Sequence, residues 1–266
     1  ESPKYLNTPE TPIYHKSQVL YGLDLAKKEI TQGRRVVIVE GYTDVMAAHA
    51  AGVGCAVATC GTAFGEEHVK IVRRLLGDTA DSAAGVVLSN GKTHGGEVIF
   101  TFDGDAAGQK AALRAFDMDQ NFAAQTFVAV EPHGMDPCEL RMAQGERAVV
   151  ELVNSRTPLF EFVIRSVLRQ LDLRTAEGRV KALRAAAPVV ARIRDRALQR
   201  EYTRSLAGWI GMDISEVARA VRSSGNSRPA SNGRGGATPE ATAPMPARRG
   251  PEDPVSKIER QALEAL

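Results

Sequence analysis

The 266-residue sequence has only three cysteines, Cys55, Cys60 and Cys138, and none stands in a Cys-x-x-Cys pair. That excludes a disulfide framework and a zinc ribbon, and it suits a reducing cytoplasm. No apolar run approaches the length of a membrane span, and the N-terminus lacks the pattern of a secretory signal, so no membrane association is expected. The three cysteines and five histidines form no defensible nucleophile–base pair, which leaves covalent catalysis without a candidate. Net charge is nearly lacking as well, at +2, but the balance is uneven along the chain. Residues 1–155 carry 14 Lys/Arg against 20 Asp/Glu, residues 156–222 carry 14 against 7, and residues 223–266 carry 6 against 5. An acidic first part suits divalent cations, and a basic second part suits a polyanion.

What is present is ordinary globular composition, 43% hydrophobic and 25% charged, with chain enough for one or two domains. Prolines at 3, 9 and 12 make residues 1–15 an extended leading segment. Apolar positions Val19, Leu20, Leu23, Ala26 and Ile30 predict a helix over 16–32, with Gly33 as its stop. Strands are then predicted at 35–39, 55–59, 97–102 and 125–130, alternating with helices near 43–51, 65–76 and 105–117 and from Pro137 onward. The fully apolar run VVIV at 36–39 is the mark of a strand buried on both faces. The fold class is therefore α/β, a mostly parallel sheet flanked by helices. Residues 77–96 interrupt the alternation as a surface insertion, and Asn90-Gly91 within them favours a hairpin turn.

Strand signals stop near 147. Segments 158–171, 175–187 and 189–206 are helical by pattern, so an all-helical subdomain follows the sheet. Residues 223–252, rich in Ser, Gly, Pro, Ala and Arg, read as a disordered linker, and a helical pattern resumes at 254–266. The expected organisation is a leading segment and helix over 1–33, an α/β sheet domain over 34–145, a helical subdomain over 146–222, a linker over 223–252 and the start of a further module over 253–266.

Carboxylates gather where three predicted parallel strands end. Glu40 follows the first, with Gly41 next and Asp44 four residues on; Asp103-Gly104-Asp105 follows the third; Asp136 follows the fourth. Ligands of open α/β sheets bind at that edge. Carboxylates collected there repel one another unless cations sit between them, and Mg²⁺ takes such hard oxygen ligands while leaving room for substrate phosphates. Each cluster alone reads equally as a turn or a helix cap; their conjunction on one sheet edge favours metal. Asp103 to Gly108 imitates the start of a calcium loop, but Arg114 stands where that loop needs a bidentate glutamate.

VVIVEGYTD at 36–44 and IFTFDGDAAG at 99–108 resemble the two signature motifs of the Toprim fold. With PKYLNTPET at 3–11, Tyr14-His15-Lys16, Gly61-Thr62-Ala63, Lys110-Ala111-Ala112 and Asp136-Pro137, the chain is similar to bacterial replicative primases, closely over 1–145 and in helical character over 146–222. The resemblance implies a Toprim-type core that synthesises short RNA primers on single-stranded DNA by nucleotidyl transfer. It implies Mg²⁺ as cofactor, with Mn²⁺ as substitute. Glu40, Asp103 and Asp105 would be catalytic and metal-binding, Asp44 and Asp136 would support the metal, and Lys4, Asn7 and Lys16 would contact the nucleotide. The implied partners are the DNA template, ribonucleoside triphosphates, the RNA primer and the replicative helicase, reached through the module beginning at 253, with the chain acting as a monomer. Zinc would belong to an N-terminal module that this sequence does not contain. Where the family often carries another aspartate two residues after the position of Asp136, this chain has Cys138, followed by Glu139. Two other readings stay open: a Toprim nuclease or topoisomerase fragment, and a non-catalytic Toprim loading module. A haloacid-type phosphatase is disfavoured because its Asp-x-Asp belongs on the first strand.

Overall fold

A computed structural model of the chain describes residues 9–77, 86–87, 93–94, 96–102, 122 and 124–226. Within them, six strands make one mixed sheet in the order β1-β3-β2-β6-β7-β8. The four central strands are β3 (Ala56–Thr59), β2 (Arg35–Val39), β6 (Glu97–Phe102) and β7 (Gln125–Val130), and they pair in parallel. They match the strands predicted from sequence, because VVIV and its counterparts are buried on both faces, Val36 to Val39 at no more than 5% exposure. Two-residue strands close the edges antiparallel: β1 (Leu20–Tyr21) on β3, and β8 (Thr157–Pro158) on β7. Pro158 is tolerated because an edge strand can spare one N–H.

Helix α1 (Leu23–Gly33) packs with α3 (Glu66–Leu76), whereas α2 (Tyr42–Ala50) packs with α4 (Pro137–Gln144) and α5 (Glu146–Asn154). The helix expected over 16–32 is divided into a 3₁₀ turn at Lys16–Gln18, β1, and then α1. Gly22 makes the break. Its φ of +78° is left-handed, and a Cβ there would meet Val45 Cγ1 at 2.7 Å. The stop falls at Arg34, itself left-handed at φ 50°, one residue beyond the expected glycine. A separate two-stranded sheet pairs β4 (Val86–Val87) with β5 (Thr93–His94), bracketing 88–92; Asn90-Gly91 lies outside the described residues.

Beyond β8 run α6 (Leu159–Leu168), α7 (Ala176–Ala191), α8 (Arg196–Ile210) and α9 (Ile214–Asn226). The single helix expected over 189–206 is two. Asp195 accepts hydrogen bonds from the N–H groups of Ala197 and Leu198 and so caps a new helix after 192–195. Two hydrophobic cores meet inside α6: Leu159 and Val163 belong with the sheet, and Ile164 and Leu168 with α7 to α9. No helix among the described residues is long and apolar enough to cross a membrane. The predicted helix 105–117, the linker 223–252 beyond residue 226, and the module at 253–266 lie outside the described residues.

Candidate active site

The carboxyl ends of β2, β6 and β7 lie side by side, since these strands are neighbours in the sheet and all parallel. Glu40 leaves the end of β2 exposed to solvent. Asp44 differs from it: it is 4% exposed, and its Oδ2 accepts the Gly41 N–H at 2.8 Å, closing the first turn of α2. Helix α2 packs on α4, whose N-cap is Asp136, so the helices that follow β2 and β7 lie against each other. Asp136 Oδ1 accepts the Glu139 N–H at 2.7 Å, with Pro137 at the first helical position. Strand β6 ends at Phe102, immediately before Asp103-Gly104-Asp105, and these two aspartates lie outside the described residues, as do Lys4 and Asn7. Among the described residues, no three His, Cys, Asp or Glu side chains form a metal-binding group.

Three features of this edge were missed in the sequence. Glu131, 5% exposed and directly after β7, accepts the N–H groups of His133 (2.6 Å) and Met135 (3.0 Å) with one carboxylate oxygen. It thereby shapes the turn, with Gly134 at φ 79°, that delivers Asp136. An acid between a strand end and a Pro-x-Gly turn was the available signal. Second, His68 is 1% exposed. Its Nδ1 accepts the Gly65 N–H at 3.1 Å, which obliges Nε2 to donate to the Lys16 carbonyl, 3.0 Å away. The side chain therefore fastens the 3₁₀ turn that carries Lys16 to the N-terminus of α3. Phe64 stacks on His68 and meets Phe100 edge-on, and Phe100 stacks on Phe102, so an aromatic column runs from α3 to the end of β6. Third, the Tyr14 and Tyr42 phenols lie near the buried Cys60, and the ring centroids of Tyr42 and Tyr21 are 4.6 Å apart. Loss of solvent, followed by the Cys60 contact, pushes both phenols above their ordinary value of 10.0.

Comparison with known proteins gives this edge a context. The Toprim domain family matches residues 34–129, which hold β2, β3 and β6 and most of β7. The N-terminal domain of the DNA primase catalytic core matches 1–27, and the DnaB-helicase binding domain of primase matches 160–215. The DNA primase of Streptomyces coelicolor is 53% identical over 98% of this chain, and that of Mycolicibacterium smegmatis 52% over 98%. The chain belongs to the bacterial DNA primase family. It spans about two fifths of the length of these relatives, 41% and 40%. The primase RNA polymerase domain of Mycobacterium tuberculosis, solved with double-stranded DNA bearing an overhang, has a TM-score of 0.65 at 50% identity, covering 80% of this chain and 63% of that one. A primase catalytic domain bound to single-stranded DNA has a TM-score of 0.63 at 31% identity, covering 81% and 63%. The helicase-binding match falls on α6 to α8 and the turn leading into α9, inside the primase chain's helical region, and not on 253–266.

Proposed function

We propose that this chain supplies the catalytic core of a primase, an RNA polymerase that joins ribonucleoside triphosphates into short primers on single-stranded DNA. The observation that carries the reading is the exposed Glu40 at the end of β2, beside the end of β6 that leads covalently into Asp103-Gly104-Asp105. An all-carboxylate donor set fits a hard divalent cation, with Mg²⁺ as the natural ion and Mn²⁺ as substitute. When bound, such ions lower the pKa of an attacking hydroxyl and neutralise charge on a triphosphate. Glu40, Asp103, Asp105 and Asp136 would hold them. Asp44 serves from behind, keeping the turn after Glu40 closed. Lys16, held by His68 through its carbonyl, offers a cation to the triphosphate, and Lys4 and Asn7 belong to the same leading segment. The protein's contribution is position and charge, as phosphoryl transfer requires.

The match over 160–215 supports helicase contact through the helical region. We place the chain in the cytoplasm at the replication fork, acting as a monomer, as its resemblance to bacterial primases implies. The test replaces the matching region of the Streptomyces relative with this chain and measures labelled ribonucleotide incorporation on single-stranded DNA with Mg²⁺. Short RNA that disappears with Asp103→Asn is the expected result. Metal-dependent cutting of DNA without RNA synthesis would refute it in favour of a nuclease.

A further inference from the structure

Helices α8 and α9 enclose a groove of about 790 Å³, far along the chain from the carboxylate edge. Its walls carry Arg194, Arg196, Arg200, Arg204 and Arg222, and no carboxylate lines it among the described residues. Arg196, Arg200 and Arg204 follow one another at four-residue spacing, which stacks them on one face of α8 about 6 Å apart along its axis. Arg222 faces them from α9.

Two helical arginines elsewhere show the alternative arrangement. Arg147 pairs with Glu151 and Arg165 with Glu161, each one turn apart. In the groove, successive turns of α8 repeat the same charge, and Glu201 pairs with Arg204. The nearby Asp195 and Asp213 are engaged on the backbone at the starts of α8 and α9, accepting from Ala197, Leu198 and Ser215 N–H groups; Glu216 lies on the first turn of α9. Like charges held on one face repel, and the repulsion is relieved by a polyanion. The floor is firm. Gln199 Nε2 donates to the carbonyls of Ala191, Val190 and Ile193 at the end of α7, and the Thr203 hydroxyl donates to the Gln199 carbonyl.

We infer that this groove binds the sugar–phosphate backbone of a nucleic-acid strand, as a site separate from the metal-binding edge. Three features select that ligand. Guanidinium forks match phosphate oxygens in pairs. Their spacing along α8 is of the order of that between successive phosphates of an extended strand. Among the described residues the lining has no aromatic ring on which a base would stack, so the groove follows the backbone without reading sequence.

The test needs neither metal nor nucleotide, so its outcome is independent of the catalytic proposal. A fluorescein-labelled oligodeoxythymidine is titrated with the whole chain in EDTA, and anisotropy is followed across a salt series. The triple variant Arg196→Gln, Arg200→Gln, Arg222→Gln is compared with Arg147→Gln, which alters an exposed arginine elsewhere, and circular dichroism checks that both remain folded. The groove variant is expected to bind at least tenfold more weakly, with the slope of log affinity against log salt reduced by about 2, the value for three lost phosphate contacts on a single strand. Arg147→Gln leaves both unchanged. Equal affinity and slope in the triple variant would overturn the proposal. So would binding of poly-glutamate as tight as that of the oligonucleotide, which would assign the groove to an acidic protein surface.

Discussion

Glu97 opens β6 and is the register partner of Arg35, which opens β2. It is buried, and its two oxygens are divided between Arg35 Nε at 2.8 Å and Arg156 Nη2 at 2.7 Å. Arg156 in turn lies over the Phe127 ring, 4.9 Å from its centroid. The three residues join β2, β6, β7 and the segment entering β8 at the end of the sheet opposite Glu40. Glu97→Gln keeps the shape and removes the charge, leaving two cations facing each other. The Arg156 side chain is only 12% exposed, so most of the penalty for an unpaired buried charge falls there. Breaking a buried pair costs about 3–5 kcal/mol. Arg35 is 35% exposed and screened by water, so Arg35→Gln should cost about 1 kcal/mol or less. The apolar pair Glu97→Leu with Arg156→Met should recover most of the stability lost in Glu97→Gln, because neither charge then remains. Urea unfolding at pH 7, read as shifts in midpoint with a common slope, measures all three. A Glu97→Gln loss below about 1 kcal/mol would refute the argument, as would a double variant less stable than the single one.

Other expectations follow from the same geometry. Glu131→Ala frees the turn that presents Asp136 and should destabilise by about 1–3 kcal/mol; in the Streptomyces chimera, RNA synthesis should need more Mg²⁺, and an unchanged Mg²⁺ dependence would count against the positioning role. His68→Ala unfastens the Lys16 turn, so KM for ribonucleotides in the same assay should rise more than kcat falls; an equal fall in both kcat and kcat/KM would contradict it. Burial, then the charge of Glu29, pushes the Cys55 thiol up to about 11 from its ordinary 9.0. At pH 8 about one part in a thousand is thiolate, so iodoacetamide should modify the half-buried Cys138 well before Cys55, as read by peptide mass. Because the folded value is the higher one, the neutral thiol's contribution is complete below about pH 9 and disappears as pH rises towards about 11, a loss of about 2–3 kcal/mol.

The four central strands were legible because a strand covered on both faces must be apolar throughout, and VVIV can satisfy little else. The edges were not. Leu20-Tyr21 and Thr157-Pro158 are strands only because β3 and β7 offer free edges, and nothing local records such a partner. The break at 192–195 was hidden because apolar spacing continues through it, and the deciding signal was the single capping side chain of Asp195. At the site, Glu40 and Asp136 could be read as strand-end acids. Asp44 reads the same way in sequence, but the structure turns it inward onto Gly41. Glu131 and His68 escaped notice because their partners are backbone groups, N–H donors of a turn in one case and a carbonyl 52 residues away in the other.

Central to the proposed chemistry is a divalent cation held by carboxylates at the ends of β2, β6 and β7. Titration of the chain with Mn²⁺, followed by loss of the free-ion electron paramagnetic resonance signal, tests it without any need for activity. Glu40→Gln removes a ligand from an exposed position, and Asp136→Asn removes a charge while keeping an excellent helix cap, so neither should disturb the fold. The unaltered chain should bind Mn²⁺, and each variant should bind it at least tenfold more weakly, by about 1.4 kcal/mol or more. Binding of equal strength in the unaltered chain and both variants would contradict it.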